Sequence, residues 1–241
     1  MINVYKDPEA LLIAMADFLK AIALESINSS GRFNLVLSGG SSPKKLYELL
    51  ASESYRTAIA WQHVFFFFGD ERYVPLNHPE SNFLMAKNTL FAPLGISENQ
   101  IFSIDTSRSP ADAASDYEER IRQHFMGQDC IFDLILLGLG DNSHTASLFP
   151  HTTVLHEHNA LIKEIFVEEV KMFRITFTAP LINAAKAVAF LVYGAFKAEA
   201  VRHILEDGLN TDEYPAQLIH PEAGRLYWFL DEAAANQISS T

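Results

Sequence analysis

Short apolar segments that end in polar, glycine-containing loops alternate along the chain with segments of helical pattern. Val64–Phe68 consists of five consecutive apolar residues, a pattern typical of a strand buried on both faces. Strands are likewise predicted at 34–37, 132–137, 187–193 and 226–230, with less regular ones at 101–104 and 162–168. Helices are predicted at 8–24, 43–50, 82–91, 110–126 and 197–206, and one more is predicted to begin at Asp231.

This alternation predicts an α/β fold: an open, mostly parallel, doubly wound sheet with helices on both faces. No repeat or linker divides the sequence, so we expect a single domain over residues 1–241. In such a sheet, ligands bind beyond the carboxyl ends of the strands, where the strand order reverses. The loops that follow the predicted strands are therefore where a site is expected.

Composition argues against several classes of protein. The chain has 18 basic and 30 acidic residues, a net charge of −12, without the run of Lys and Arg typical of nucleic-acid binding. Its longest apolar stretch, at 187–196, is too short to span a bilayer, and acidic residues interrupt the N-terminal segment where a signal peptide would be apolar. The only cysteine, Cys130, cannot form an internal disulfide. We therefore expect a cytoplasmic protein that binds neither nucleic acid nor membranes.

Two loops have features of an anion site. The first follows the strand at 34–37 and contains Gly39, Gly40, Ser41 and Ser42. Glycines let backbone N–H groups approach a ligand, and the N-terminus of the next helix, with Ser42 as its predicted N-cap, favours an anion. An ordinary strand-to-helix turn is the alternative. The second loop follows the strand at 64–68 and contains Arg72, which could bind a phosphate or sugar oxygen or pair with Asp70 or Glu71.

A third loop, residues 138–150, contains a candidate general base. It presents His144 beside Asp141, Asn142 and Ser143, residue types used in general-base catalysis. A surface or structurally satisfied histidine is the alternative. Three more histidines follow at 151, 156 and 158, but their spacing fits no usual zinc pattern, so no metal is expected.

Together, the three loops resemble those of the 6-phosphogluconolactonase family over nearly the whole chain. The matching segments are Ser38 to Pro43, Gly69 to Pro75 with His78, Ser81 and Asn82, Gly138 to Pro150, Arg174 to Thr176, Gly194 with Lys197 and Ala198, Tyr214 to Ala216, and Trp228 to Asp231. Between His144 and Pro150 there is no acidic residue, which distinguishes the chain from the related glucosamine-6-phosphate deaminases.

The resemblance implies hydrolysis of 6-phospho-D-glucono-1,5-lactone in the oxidative branch of the pentose phosphate pathway, without a metal or organic cofactor. His144 would be the base that activates water. Residues 39–42, Arg72 and Lys197 would bind the phosphate, with Arg174 as a further contributor. The implied partner is the phosphorylated sugar lactone alone, and the protein would be a monomer or a homodimer.

One motif departs from the family pattern. The usual Asp-Gly-His is here Asn142-Ser143-His144, so an amide replaces the carboxylate that would orient the histidine. Asp141, one residue earlier, is a candidate substitute, and Asn142→Asp is expected to raise kcat. Two alternatives stay open: a sugar-phosphate isomerase or deaminase on the same scaffold, and a catalytically weakened phosphosugar-binding relative.

Overall fold

The computed structural model describes residues 1–239; residues 240 and 241, which belong to the predicted domain, lie outside the described part. Within residues 1–239, ten strands form two sheets. They are β1 (Ile2–Tyr5), β2 (Phe33–Leu37), β3 (Val64–Phe68), β4 (Asp70–Arg72), β5 (Ile101–Phe102), β6 (Leu134–Leu137), β7 (Ile162–Val167), β8 (Met172–Phe177), β9 (Ala187–Val192) and β10 (Arg225–Asp231). The larger sheet has seven parallel strands in the order β1-β10-β9-β6-β2-β3-β5.

Helices cover the larger sheet. They are α1 (Pro8–Ser30), α2 (Ser41–Leu50), α3 (Glu53–Arg56), α4 (Asn82–Ala86), α5 (Ala92–Leu94), α6 (Pro110–His124), α7 (Ala179–Asn183) and α8 (Ala198–Leu205). Every residue of β2, β6 and β9 is buried. Because successive side chains of a strand point to opposite faces, these strands are covered on both sides. The predicted open α/β fold is confirmed.

The strand order reverses between β2 and β6. From β2 the chain continues to β3 and β5 on one side, and then crosses to β6, β9 and β10 on the other. The loops that leave β2 and β6 therefore meet at the switch point of the sheet, where ligands bind in folds of this kind.

A small antiparallel sheet, β4-β8-β7, lies beyond the end of β3. The strand predicted at 162–168 is β7. It belongs to this antiparallel sheet, which the prediction of one mostly parallel sheet did not include. Strand β4 consists of Asp70, Glu71 and Arg72, so it has no apolar run from which a strand could be predicted. Its pairing with β8 sets Arg72 directly opposite Arg174.

Several predicted element ends are corrected. Helix α2 begins at Ser41 with Gly40 as its N-cap, so Ser42 is not the cap. The helix predicted at 82–91 continues past Phe91 to Leu94 and ends at Gly95. No helix begins at Asp231: this residue ends β10, and its buried carboxylate accepts hydrogen bonds from the N–H groups of Gly194 and Ala234, so turns follow. Within residues 1–239, every helix is too short or too polar to cross a membrane.

Candidate active site

The loop after β2 presents the N-terminus of α2. Gly40 has a φ of +105°, a conformation that side chains disfavour, and its carbonyl accepts the first hydrogen bond of the helix from Lys44. The N–H groups of Ser41 and Ser42 occupy the first helical turn, where no helical carbonyl is available to accept them. The loop therefore offers donors and the positive end of a helix dipole, both favourable to an anion.

The loop after β6 holds the His144 ring against glycine and phenylalanine. A Cβ atom on Gly140 would come within 2.1 Å of His144 Nδ1, so only glycine permits this approach. The ring stacks on Phe149, with centroids 3.9 Å apart and planes 16° from parallel. The imidazole is thus held in one plane, as a base aimed at a fixed substrate must be.

The ring nitrogens of His144 have different surroundings. Nδ1 lies 2.5 Å from Asn142 Oδ1, which also accepts a hydrogen bond from the His144 backbone N–H at 3.3 Å. An amide oxygen only accepts, so Nδ1 carries the proton and Nε2 has the free electron pair. Burial lowers the pKa of His144 to about 4, with Lys197 and Arg174 acting in the same direction and Asp70 opposing. The ring is therefore neutral at pH 7, as a base requires.

Three cationic side chains converge on the same cleft. Arg72 and Arg174 face each other on neighbouring strands, an arrangement of like charges that is unfavourable without a counter-charge. Each has a buried Nε atom without a hydrogen-bond partner among the described residues. Lys197 follows β9, and burial lowers its pKa. Such an arrangement suits an anion with several oxygens.

The two carboxylates of β4 have separate roles. Asp70 lines the cleft, where its carboxylate accepts hydrogen bonds from Ser147 Oγ at 2.7 Å and from Asn82 Nδ2 at 3.3 Å. Glu71 is buried and accepts from backbone N–H groups of Arg72, Asn82 and Phe83, so it stabilises the start of α4. Neither carboxylate makes an ion pair with Arg72, whose guanidinium donates to the Glu80 carbonyl at 2.7 Å.

Most of the predicted site residues line one cleft of about 310 Å³: Gly39, Gly40, Arg72, Asp141, His144, Arg174 and Lys197. Ser41 and Ser42 line an adjoining cavity of about 160 Å³, which also contacts Lys197. Asn142 lies behind the His144 ring. Asp141 is exposed at the cleft, and the ring's partner is Asn142 instead.

Sequence reasoning missed Asp70, Phe149 and Glu169 as members of this site. Glu169 lies on the turn between β7 and β8, and its carboxylate accepts a hydrogen bond from Asn142 Nδ2 at 2.9 Å. No spacing rule connects two loop residues 27 positions apart. Among residues 1–239, no group of three or more His, Cys, Asp or Glu side chains is arranged to hold a metal ion.

The fold and the site define an α/β protein with a neutral, oriented histidine beside a cleft lined by three cationic side chains, at the switch point of a parallel sheet. The family model described as glucosamine-6-phosphate isomerases/6-phosphogluconolactonase matches residues 6–228. The chain belongs to this family.

Relatives and solved structures agree with this placement. The chain is 38% identical to a 6-phosphogluconolactonase of Nostoc sp., over 99% of the chain and 98% of the relative. It is 41% identical to a 6-phosphogluconolactonase of Synechocystis sp., over 95% and 92%. A solved 6-phosphogluconolactonase from Trypanosoma cruzi is similar with a TM-score of 0.88 and 28% identity, over 99% of this chain and 97% of that one.

Proposed function

We propose that the chain hydrolyses 6-phospho-D-glucono-1,5-lactone to 6-phospho-D-gluconate. One observation carries this proposal: a neutral histidine with a free Nε2 shares a cleft with three cations and borders a helix N-terminus. The names of the relatives describe the same activity. A cytoplasmic location and a monomeric or homodimeric state stay predictions from the sequence.

The phosphate would bind first and fix the position of the lactone ring. Arg72, Arg174 and Lys197 supply the positive charge, and the N–H groups of Ser41 and Ser42 supply further donors. Binding of the phosphate, away from the reacting carbon, holds the lactone carbonyl near His144. The attack by water then loses less entropy, because the reacting groups are already positioned.

His144 Nε2 would then accept a proton from water as the water oxygen bonds to carbon 1. The resulting imidazolium is stabilised by Asp70, whose negative charge raises the pKa of His144 against the effect of burial. When the bond between carbon 1 and the ring oxygen breaks, the imidazolium returns the proton to that oxygen as a hydroxyl group. One water is consumed and the histidine is restored.

The test is hydrolysis of freshly generated lactone, coupled to 6-phosphogluconate dehydrogenase and compared with the rate in buffer alone. We expect acceleration that falls by about 10²–10⁴ in His144→Ala, the usual contribution of a general base. A wild-type rate equal to the buffer rate would contradict the proposal and favour the weakened phosphosugar-binding alternative.

The isomerase or deaminase alternative depends on Asp70, the carboxylate that lies in the cleft. Its two oxygens are already engaged by Ser147 and Asn82, so it is better placed to orient groups than to move a proton. We expect no release of ammonia from glucosamine 6-phosphate.

A further inference from the structure

The replacement of a carboxylate by Asn142 raises a question of orientation. An asparagine side chain has a donor end and an acceptor end, and a neutral imidazole has two tautomers. Asn142 can therefore pair with Nδ1 of His144 in either sense. If its nitrogen donated to Nδ1, the proton would sit on Nε2 and the ring could not act as the base. In the serine protease triad, an equivalent Asp-to-Asn change stabilises the wrong tautomer and lowers kcat by about 10⁴.

The contact between Asn142 and Glu169 indicates which end of the amide faces the histidine. An ionised carboxylate only accepts hydrogen bonds, so the group that faces it at 2.9 Å must be the Asn142 amide nitrogen. The oxygen then points to His144, where it accepts from both Nδ1 and the backbone N–H. The chain Glu169–Asn142–His144 thus has one consistent set of donors and acceptors, and it leaves the electron pair on Nε2.

We propose that Glu169 is a positioning residue that fixes the amide orientation of Asn142 and, through it, the tautomer of His144. This inference rests on the proposed function for its catalytic consequence only; the tautomer is a property of the free protein. Glu169 restores, through an intervening amide, the orienting carboxylate that the Asn142-Ser143-His144 motif lacks.

A purely stabilising role explains the contact less well. Glu169 is exposed, on a turn that an ion pair between Glu168 and Lys171 also spans at 3.2 Å. Exposed polar contacts of this kind contribute little to stability. The neighbouring Glu168 therefore provides a matched control: it has the same charge and turn, with no hydrogen bond to Asn142.

The same geometry reverses the expectation from sequence for Asn142→Asp. An aspartate there would bring two carboxylates to hydrogen-bond distance, and like charges so close cannot both remain ionised without cost. We therefore expect Asn142→Asp alone to gain no rate. Its rate should rise when Glu169→Ala removes the opposing charge, since the introduced carboxylate would then pair with His144 directly.

The direct test is the tautomer of His144, read from ¹⁵N shifts of histidine-labelled protein near pH 7, with His144→Gln to assign the signal. We expect Nδ1–H in the wild type and in Glu168→Ala, and a mixture with Nε2–H in Glu169→Ala. Glu169→Gln should also give a mixture, because its amide can present either a donor or an acceptor to Asn142, whereas a carboxylate only accepts. Wild-type Nε2–H, or identical spectra for Glu169→Ala and Glu168→Ala, would overturn the proposal.

Steady-state kinetics provide a second test of the positioning role of Glu169. Glu169→Ala should lower kcat by about tenfold or more, part of what a general base contributes, with KM unchanged. In the Asn142→Asp background the same substitution should raise kcat, and this change of sign is the mark of direct coupling. An effect of the same sign in both backgrounds would contradict the positioning role. If the wild type lacked lactonase activity, the proposed function would fail while the tautomer measurement still decided the role of Glu169.

Discussion

The hydroxyl group of Tyr47 makes two hydrogen bonds with the backbone of Ser38: it accepts from the N–H at 2.9 Å and donates to the carbonyl at 2.8 Å. Ser38 is the last residue before the glycine loop, and Tyr47 lies fully buried on α2. Tyr117, on α6, makes the same pair of bonds with Phe68 at the end of β3. Two tyrosines thus pair with the buried backbone N–H and carbonyl groups at the ends of two neighbouring strands, where the loops of the site begin.

Tyr47→Phe is expected to destabilise the protein and weaken phosphate binding. Removal of the hydroxyl leaves a buried N–H and carbonyl unpaired, at a cost of about 1–3 kcal/mol in the free energy of unfolding. Urea unfolding measures this cost, and KM for the phosphorylated lactone should rise with it. Tyr55→Phe is the control, since that hydroxyl is partly exposed and its contacts are longer, at 3.2 and 3.5 Å. Equal losses in the two variants would contradict the role of Tyr47.

Phosphate recognition is tested by comparing two substrates. Lys197→Ala, Arg174→Ala and Arg72→Ala each remove one cation from the cleft, where a charged hydrogen bond contributes roughly 1.5–3 kcal/mol, or about 10- to 100-fold in KM. We expect that rise for the phosphorylated lactone and little change for unphosphorylated gluconolactone. Lys44→Ala, on the exposed side of α2 in an ion pair with Glu48, should affect neither. Parallel effects on both substrates would rule out a phosphate contact.

The proposed base, His144, is expected to stay neutral well below pH 7. Because burial lowers the pKa of His144 to about 4, the neutral ring prevails above that pH and is lost as the pH falls through it. For gluconolactone, which has no phosphate to titrate, kcat/KM above the buffer rate should be flat from about pH 8 to 6 and decline near pH 4. Polarimetry follows the reaction directly. A decline centred near pH 6.5, the ordinary pKa of histidine, would mean that the ring is exposed to water and that burial does not lower its pKa.

Much of the site could be predicted from sequence because parallel strands end at one edge. The apolar run Val64–Phe68 and the similar run before Ser38 indicate buried strands, so the loops after them had to meet. The contacts of β4 could not be predicted in this way. Its residues are charged, and only pairing with β8 makes them a strand and brings Arg72 opposite Arg174.

Two local features required the structure for different reasons. The acidic residues from Asp231 resemble a helix start, but Asp231 is the last residue of β10. Its carboxylate accepts a hydrogen bond from the N–H of Gly194, which follows the neighbouring strand β9. The pairing of Glu169 with Asn142 depends on where a hairpin turn lies relative to a loop 27 residues earlier. Both are long-range contacts, which local patterns do not encode.

Ser143 and Ala146 in the third loop, and His151 directly after it, adopt left-handed backbone conformations that suit glycine. Ser143 has a φ of +64° and His151 a φ of +59°, and Ser143 stands where the Asp-Gly-His pattern of the family has glycine. A side chain in this left-handed region costs about 1–2 kcal/mol. Glycine would remove that cost. It would also increase the conformational entropy of the unfolded chain, which lowers the free energy of unfolding by about 0.4–1 kcal/mol. Ser143→Gly and His151→Gly are therefore each expected to raise the free energy of unfolding by roughly 0.5–1 kcal/mol.

Urea unfolding of the two variants measures this gain, and the two effects should add because each relieves its own residue. Ser54→Gly is the matched control: Ser54 is exposed within α3, where the helical backbone is ordinary for serine, so glycine there should only destabilise. Loss of stability in Ser143→Gly would mean that the buried serine side chain contributes more through packing than its backbone conformation costs. In that case the serine that stands in place of the family's glycine would stabilise the loop that holds His144.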